Sequence, residues 1–177
     1  MMWNKKIQLH NELKFWLLDM KSLSYRIRNI AELEIIPIET KKSNIFLDEK
    51  KEFGYRKSEH LYLREVLIYA DTLPIMYART ILPSIYLRGF WRKIKKLNNE
   101  PLANIVFERK KIIRSEFKFK KPSFNDVFSK RIKSLNLENI KILAARQSTF
   151  KNKNKKVLLT EVFFNNFENL DYLDGKI

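Results

Sequence analysis

The stretch "LREVLIYADTLPIMYART" (residues 63–80) decides the fold. Two runs rich in β-branched and aromatic residues flank "DTLP", which has the chemistry of a tight turn, so the segment predicts a long antiparallel hairpin. Each strand carries an arginine among apolar neighbours, Arg64 on the first and Arg79 on the second. A turn of even length centred on Thr72 and Leu73 sets Val66 opposite Arg79 and Arg64 opposite Ile81, with both arginines on one face. Two guanidinium groups ~7 Å apart repel by roughly 2 kcal/mol at an effective dielectric near 20. An anion between them removes that cost, because the planar arginine fork binds carboxylates bidentately. The alternative is that Arg64 pairs with an acidic neighbour and the two long side chains splay to the rim.

A second hairpin lies further along, where "ILAARQSTF" and "KKVLLTEVFF" flank "KNKNK". In its second strand Glu161 alternates with Val157, Leu159 and Phe163, which points a carboxyl to the apolar side. A carboxyl among apolar groups is expected to have a raised pKa and to serve as a general acid near neutral pH. A structural pairing of Glu161 with an arginine across the sheet fits the same pattern.

Working outward, residues 9–32 show helical spacing that Ser22 is placed to divide, and "LEIIPIET" (33–40) reads as an edge strand marked by Pro37. Residues 41–59 read as a polar connection with a short strand at "NIFL". Residues 84–99 return to helical spacing, and "NEPLANIVF" predicts a short helix with Pro101 near its start. In "KIIRSEFKFK" a half-buried strand would carry Ile113, Ser115, Phe117 and Phe119 on one side. Residues 121–140 look like an insertion with one helical stretch, and 165–177 like a short helix or frayed tail. Helices interrupting long hairpins predict an α+β domain built on one antiparallel sheet, spanning residues 1–177.

The 177 residues include no cysteine, two histidines without zinc-ligand spacing and three scattered glycines. That composition leaves no basis for disulfides, thiolate chemistry, a metal site or a glycine-rich phosphate loop. No window approaches a membrane span or a signal core, so a soluble cytoplasmic protein is expected, with no stable membrane insertion. The net charge of +16 favours anionic partners, although a lysine- and asparagine-rich composition accounts for much of it.

At these same residues the sequence resembles the chorismate pyruvate-lyase family. "FWLLDMKSLSYRI" resembles the family's early W-L-L…S-[ML]-T helix, and "YLREVLIYADTLPIMYARTILP" its W-L-R-E-[IV]-x-L and A-x-R-[ST]-x-x-P hairpin. "NEPLANIVF" is similar to T-P-L-G-x-x-L-F, and "KKVLLTEVFF" to L-L-[LV]-T-E-x-F. The resemblance implies a sheet of about six strands with helical flaps over a buried site. It also implies that Arg64, Arg79 and Glu161 are catalytic and that Leu23, Arg64, Leu102 and Glu161 bind substrate. The implied reaction is the cofactor-free conversion of chorismate to 4-hydroxybenzoate and pyruvate for ubiquinone synthesis, by a monomer. In that scheme Arg64 holds the ring carboxylate, Glu161 protonates the departing oxygen and Arg79 serves the enolpyruvyl side. One departure is "AARQS" (144–148), where the family often has W-[GA]-R-R-S.

Two other readings carry sequence features of their own. A ligand-binding module of the same fold would belong to a transcription regulator and should follow a DNA-binding domain, whereas only residues 1–32 precede the first predicted strand. A nucleic-acid binder could use "RKIKK", "ERKKIIR" and "KNKNKK", with Phe117 and Phe119 stacking on bases, but those aromatics alternate as a core face does. The chemistry points to a small dianionic substrate and not to nucleic acid.

Overall fold

The computed structural model describes residues 2–8, 11–38, 45–54, 60–107 and 111–173. Its centre is a single antiparallel sheet of seven strands: β1 (Leu33–Ile38), β2 (Leu61–Ala70), β3 (Leu73–Pro83), β4 (Ile113–Arg114), β5 (Lys118–Lys120), β6 (Ile142–Asn152) and β7 (Lys155–Phe164). The strand order is β1-β2-β3-β7-β6-β4, with β5 also paired to β6. β1 is an edge strand, as Pro37 predicts, since proline cannot donate to a second neighbour. The α+β sheet expected from the sequence is therefore the fold, with one strand more than about six.

Cross-strand partners share a face, so the register sorts every side chain. The front face carries the rows Arg64–Thr80–Leu159–Ser148, Val66–Ala78–Glu161–Arg146 and Ile68–Met76–Phe163–Ala144. The back face carries Glu65–Arg79–Thr160–Gln147 and Leu67–Tyr77–Val162–Ala145. Arg64 and Arg79 therefore lie on opposite faces, against the expectation. The cause is local. Asp71 and Thr72 make the turn, with Asp71 at φ 53°, and the pairing then skips from Tyr69↔Pro74 to Ile68↔Met76. Ile75 is the extra residue of a bulge, and one extra residue exchanges the faces of everything beyond it.

Both faces are covered. On the front, α1 (Asn11–Leu18) buries Leu13, Trp16 and Leu17, and Trp16 meets Phe167 edge-on at 5.3 Å. Each such buried side chain contributes roughly 1.5–3 kcal/mol. α2 (Leu23–Arg28) begins where the sequence suggests, because Ser22 Oγ accepts the Tyr25 amide at 3.2 Å. α4 (Ala103–Val106) follows Pro101. On the back lie α3 (Leu47–Glu52) and α5 (Val127–Lys133), where Phe128 meets Phe46 at 5.2 Å and Trp3 at 5.9 Å. The 121–140 segment thus supplies cover for the back face.

Several expectations change in detail. Residues Leu47–Glu52 are helical and do not continue a strand from "NIFL", of which Asn44 lies outside the described residues. Residues 84–96 form two 3₁₀ segments broken at Gly89 and not one α-helix. The predicted strand 111–120 is interrupted, so Ile113 is exposed while Phe117 and Phe119 are buried. The tail is 3₁₀ over Asn165–Leu173, and residues 174–177 lie outside the described residues.

Candidate active site

The front face becomes a pocket where the segments carrying α2 and α4 close over it. Ser22, Leu23 and Ile27 line it from one side and Pro101, Leu102 and Val106 from the other. The strands beneath contribute Ile35, Val66, Ile68, Met76, Ala78 and Leu159 as apolar wall, and Arg64, Arg146 and Glu161 as charge. Arg114 of β4, Phe150 of β6 and the exposed Lys21 also line it. Leu23, Arg64, Leu102 and Glu161 are thus brought together. β2 and β7 flank β3 and Glu161 stands one row along from Arg64, so the two backbones are about 12 Å apart. That is a span suited to one ring between two long side chains.

Arg64 is buried to 9% exposure, and its Nη2 donates to the carbonyls of Asn98 (2.9 Å) and Glu100 (2.8 Å). Among the described residues no carboxylate pairs with it. Burial lowers its pKa, and Tyr62 alone acts in the other direction. A buried guanidinium held only by neutral carbonyls is a group awaiting an anion.

Glu161 has the opposite situation. Arg146 Nε donates to Oε2 at 2.6 Å and Nη2 to Oε1 at 3.1 Å, a bidentate cross-strand pair. Arg114 Nη2 approaches Oε2 at 3.4 Å. Burial pushes the Glu161 carboxyl up, but the Arg146 and Arg114 charges and the Arg146 hydrogen bonds outweigh it, and its pKa falls below the usual value. The expected raised pKa is therefore corrected: Glu161 is a firm anion at neutral pH.

Arg146 is fully enclosed, and its Nη1 donates to the carbonyls of Trp16 (3.1 Å), Leu17 (3.0 Å) and Asp19 (3.1 Å). These are the carbonyls a helix leaves unpaired at its C-terminus, where a cation is favoured. Arg114 Nε donates to Ser148 Oγ (3.1 Å), and its Nη1 to the carbonyls of Met20 (3.2 Å) and Lys21 (3.4 Å).

Arg79 belongs elsewhere. On the back face its Nε and Nη2 donate to Glu49 at 2.7 and 2.8 Å, and its Nη1 to Glu65 at 2.5 Å and Tyr77 Oη at 2.8 Å. Arg131 binds the same Glu65 at 2.9 and 3.0 Å. Arg79 does not line the pocket, because the bulge turns it to the back face, against the expectation that it shares a face with Arg64. Arg146 and Arg114 line the pocket and were missed by sequence reasoning. Arg146 had a signal, since it alternates with Ala144, Ser148 and Phe150 as Glu161 does in its own strand. Arg114 had none, because the break between β4 and β5 reverses the alternation.

The family model described as chorismate lyase matches residues 1–169. This chain belongs to the chorismate lyase family. Within that family it is 29% identical over 153 residues to a protein named probable chorismate pyruvate-lyase of Nitrosomonas eutropha, covering 85% of each chain. It is 32% identical over 154 residues to one so named of Aromatoleum aromaticum, covering 85% of this chain and 83% of that one. The effector domain of PhnF from Mycobacterium smegmatis superposes with a TM-score of 0.51 at 12% identity, covering 84% of this chain and 91% of that domain. That last likeness shows the fold alone. Among the described residues of this chorismate lyase family member, no helix is long and apolar enough to cross a membrane.

Proposed function

We propose that the protein converts chorismate to 4-hydroxybenzoate and pyruvate, with the front-face pocket as its active site. The observation that carries this reading is Arg64: a buried cation without a carboxylate partner among the described residues, on the same apolar-walled face as an ionised Glu161. A carboxylated ring entering between them gives Arg64 the anion it lacks and gives Glu161 a hydroxyl to accept from. Leu23 and Leu102 pack on the ring from the covering segments and exclude water.

Glu161 held as an anion is neither an acid for the departing oxygen nor a strong base. It suits a different task. As the ether C–O bond breaks, the ring loses electron density, and a fixed carboxylate beside the ring hydroxyl stabilises that change. The proton needs no protein acceptor. The ring hydrogen, the two ring carbons, the ether oxygen, the vinyl carbon and its methylene form a six-membered array. In one step the hydrogen moves from the hydroxyl-bearing ring carbon to the methylene and the ether C–O bond breaks. The vinyl π pair forms the new methyl C–H bond, the ring C–H pair becomes the ring double bond that completes aromaticity, and the C–O pair becomes the pyruvate carbonyl. Nothing else is consumed. The pocket's contribution is to hold the side chain over the ring in that conformation.

The test is incubation with chorismate deuterated at the hydroxyl-bearing ring carbon, without added metal or nucleotide. Equimolar 4-hydroxybenzoate and pyruvate, with the deuterium in the pyruvate methyl group, are expected. Binding of 4-hydroxybenzoate without turnover above background would leave a ligand-binding protein of this fold. Phe117 and Phe119, the aromatics offered for base stacking, are buried.

A further inference from the structure

We propose that Arg114 is a specificity-determining residue that reads the second carboxylate of the substrate, so that the pocket prefers the entering dianion over the monoanionic ring product. The proposal rests on the lyase reading for the identity of the dianion.

The first argument is charge. Three arginines line the pocket, Arg64, Arg114 and Arg146, against the single carboxylate of Glu161. With the solvent-exposed Lys21 of the same lining set aside, this leaves a surplus of two enclosed positive charges. A ring monocarboxylate at Arg64 neutralises one of them. The second must belong to Arg114 or Arg146.

The second argument is donor accounting. Arg146 has none to spare: its Nε and Nη2 serve Glu161, and its Nη1 serves three carbonyls. Arg114 is differently placed. Its contacts to Ser148, Met20, Lys21 and Glu161 run from 3.1 to 3.4 Å. Charge-assisted hydrogen bonds normally close to about 2.7–2.9 Å. The guanidinium is 8% exposed and stacks on Phe117 at 4.3 Å, with Phe150 at 4.9 Å. Burial pushes its pKa down to about 10, which keeps it charged at neutral pH. Two aromatic rings therefore fix a cation whose donors are weakly engaged.

The third argument is position. The enolpyruvyl ether sits on the ring carbon adjacent to the hydroxyl-bearing one. If the hydroxyl faces Glu161, the second carboxylate must lie at that end and away from Arg64. Arg114 stands between Glu161 and the Met20–Lys21 backbone, which leads into Leu23 of the pocket wall.

The experiment compares the parent protein with Arg114→Gln and Arg114→Lys by titration calorimetry, each first shown to be folded by thermal melting. The probes are 4-hydroxybenzoate and the stable dianion 3-(1-carboxyvinyloxy)benzoate. Arg114→Gln should weaken the dianion about 30- to 100-fold and 4-hydroxybenzoate less than about threefold, with Arg114→Lys recovering part of the loss. Equal weakening of both ligands, or of neither, would overturn the proposal and leave Arg114 as a support for the covering segment. Chorismate turnover by the parent separates the two readings. Turnover with no selective effect at Arg114 rejects the proposal alone. An Arg114-dependent preference for the dianion without turnover rejects the lyase reading and keeps the carboxylate reader. Failure of the parent both to bind the dianion and to turn over chorismate rejects both, and failure to bind it with turnover intact rejects the proposal alone.

Discussion

The two faces of the sheet bury the same kinds of charged residue in different proportions. On the back, Arg79, Arg131 and Lys120 meet Glu49, Glu65 and Asp126, so three cations face three anions at 2.5–2.9 Å. On the front, among the described residues, Arg114 and Arg146 share Glu161 and Arg64 has no carboxylate partner. A balanced buried network costs desolvation that its own pairs repay, and its product is a fixed geometry. An unbalanced one is complete only with a ligand of the missing sign. On the proposed function the ratio separates scaffold from site, because an arginine in an apolar strand looks the same in sequence on either face.

Four measurements break or sharpen that contrast. The largest effect is expected for Arg64→Ala, which should lower kcat/KM for chorismate by about 10³-fold and weaken 4-hydroxybenzoate in parallel. Its melting temperature should stay level or rise, since an unpaired buried cation is removed. Arg79→Met should do the reverse. It strands Glu49, leaves Glu65 to Arg131 alone, and should cost about 3–5 kcal/mol of stability in denaturant unfolding, while the folded fraction keeps turnover within a few-fold in the cold. A stable but inactive Arg79→Met protein would return Arg79 to the catalytic machinery and end the contrast between the faces.

The third measurement is pH dependence. Glu161 has a folded pKa below its usual value. Its contribution to stability is therefore full above the unfolded pKa of about 4.3 and lost as pH falls through the lower folded value. Turnover should be flat from about pH 5.5 to 9, because Glu161 stays ionised throughout. A decline through neutrality would show the protonated carboxyl to be the working form. The smallest effect belongs to Gln147→Arg. Gln147 lies on the back face, where its Nε2 donates to Thr160 Oγ1 at 3.1 Å, so restoring the family's arginine should change turnover by less than about twofold. Steady-state kinetics on that variant decides whether the "AARQS" departure touches catalysis.

Alternation made much of this legible. The period of two placed Glu161 beside Leu159 and Phe163, and the resemblance added Leu23 and Leu102 to the same pocket. It failed where a strand adds or loses a residue. The bulge at Ile75 carries no side-chain signature beyond the neighbouring Pro74, yet it moves Arg79 through the sheet. The break at residues 115–117 does the same for Arg114. The Glu161 pKa was misread for a related reason, since its sign depends on Arg146, a cross-strand neighbour that no spacing within one strand reveals.

The pocket arginines also hold its cover. Arg64 donates to the main chain at Asn98 and Glu100, shortly before α4, and Arg114 at Met20 and Lys21, shortly before α2. On the proposed function, the groups that meet an anion and the groups that fasten the enclosure are thus one set. Occupancy and closure become linked equilibria with a shared coupling free energy, and the linkage is reciprocal. A ligand that takes a nitrogen away from a carbonyl loosens the enclosure by as much as the loosened enclosure favours that ligand. A ligand that uses only nitrogens left over tightens both.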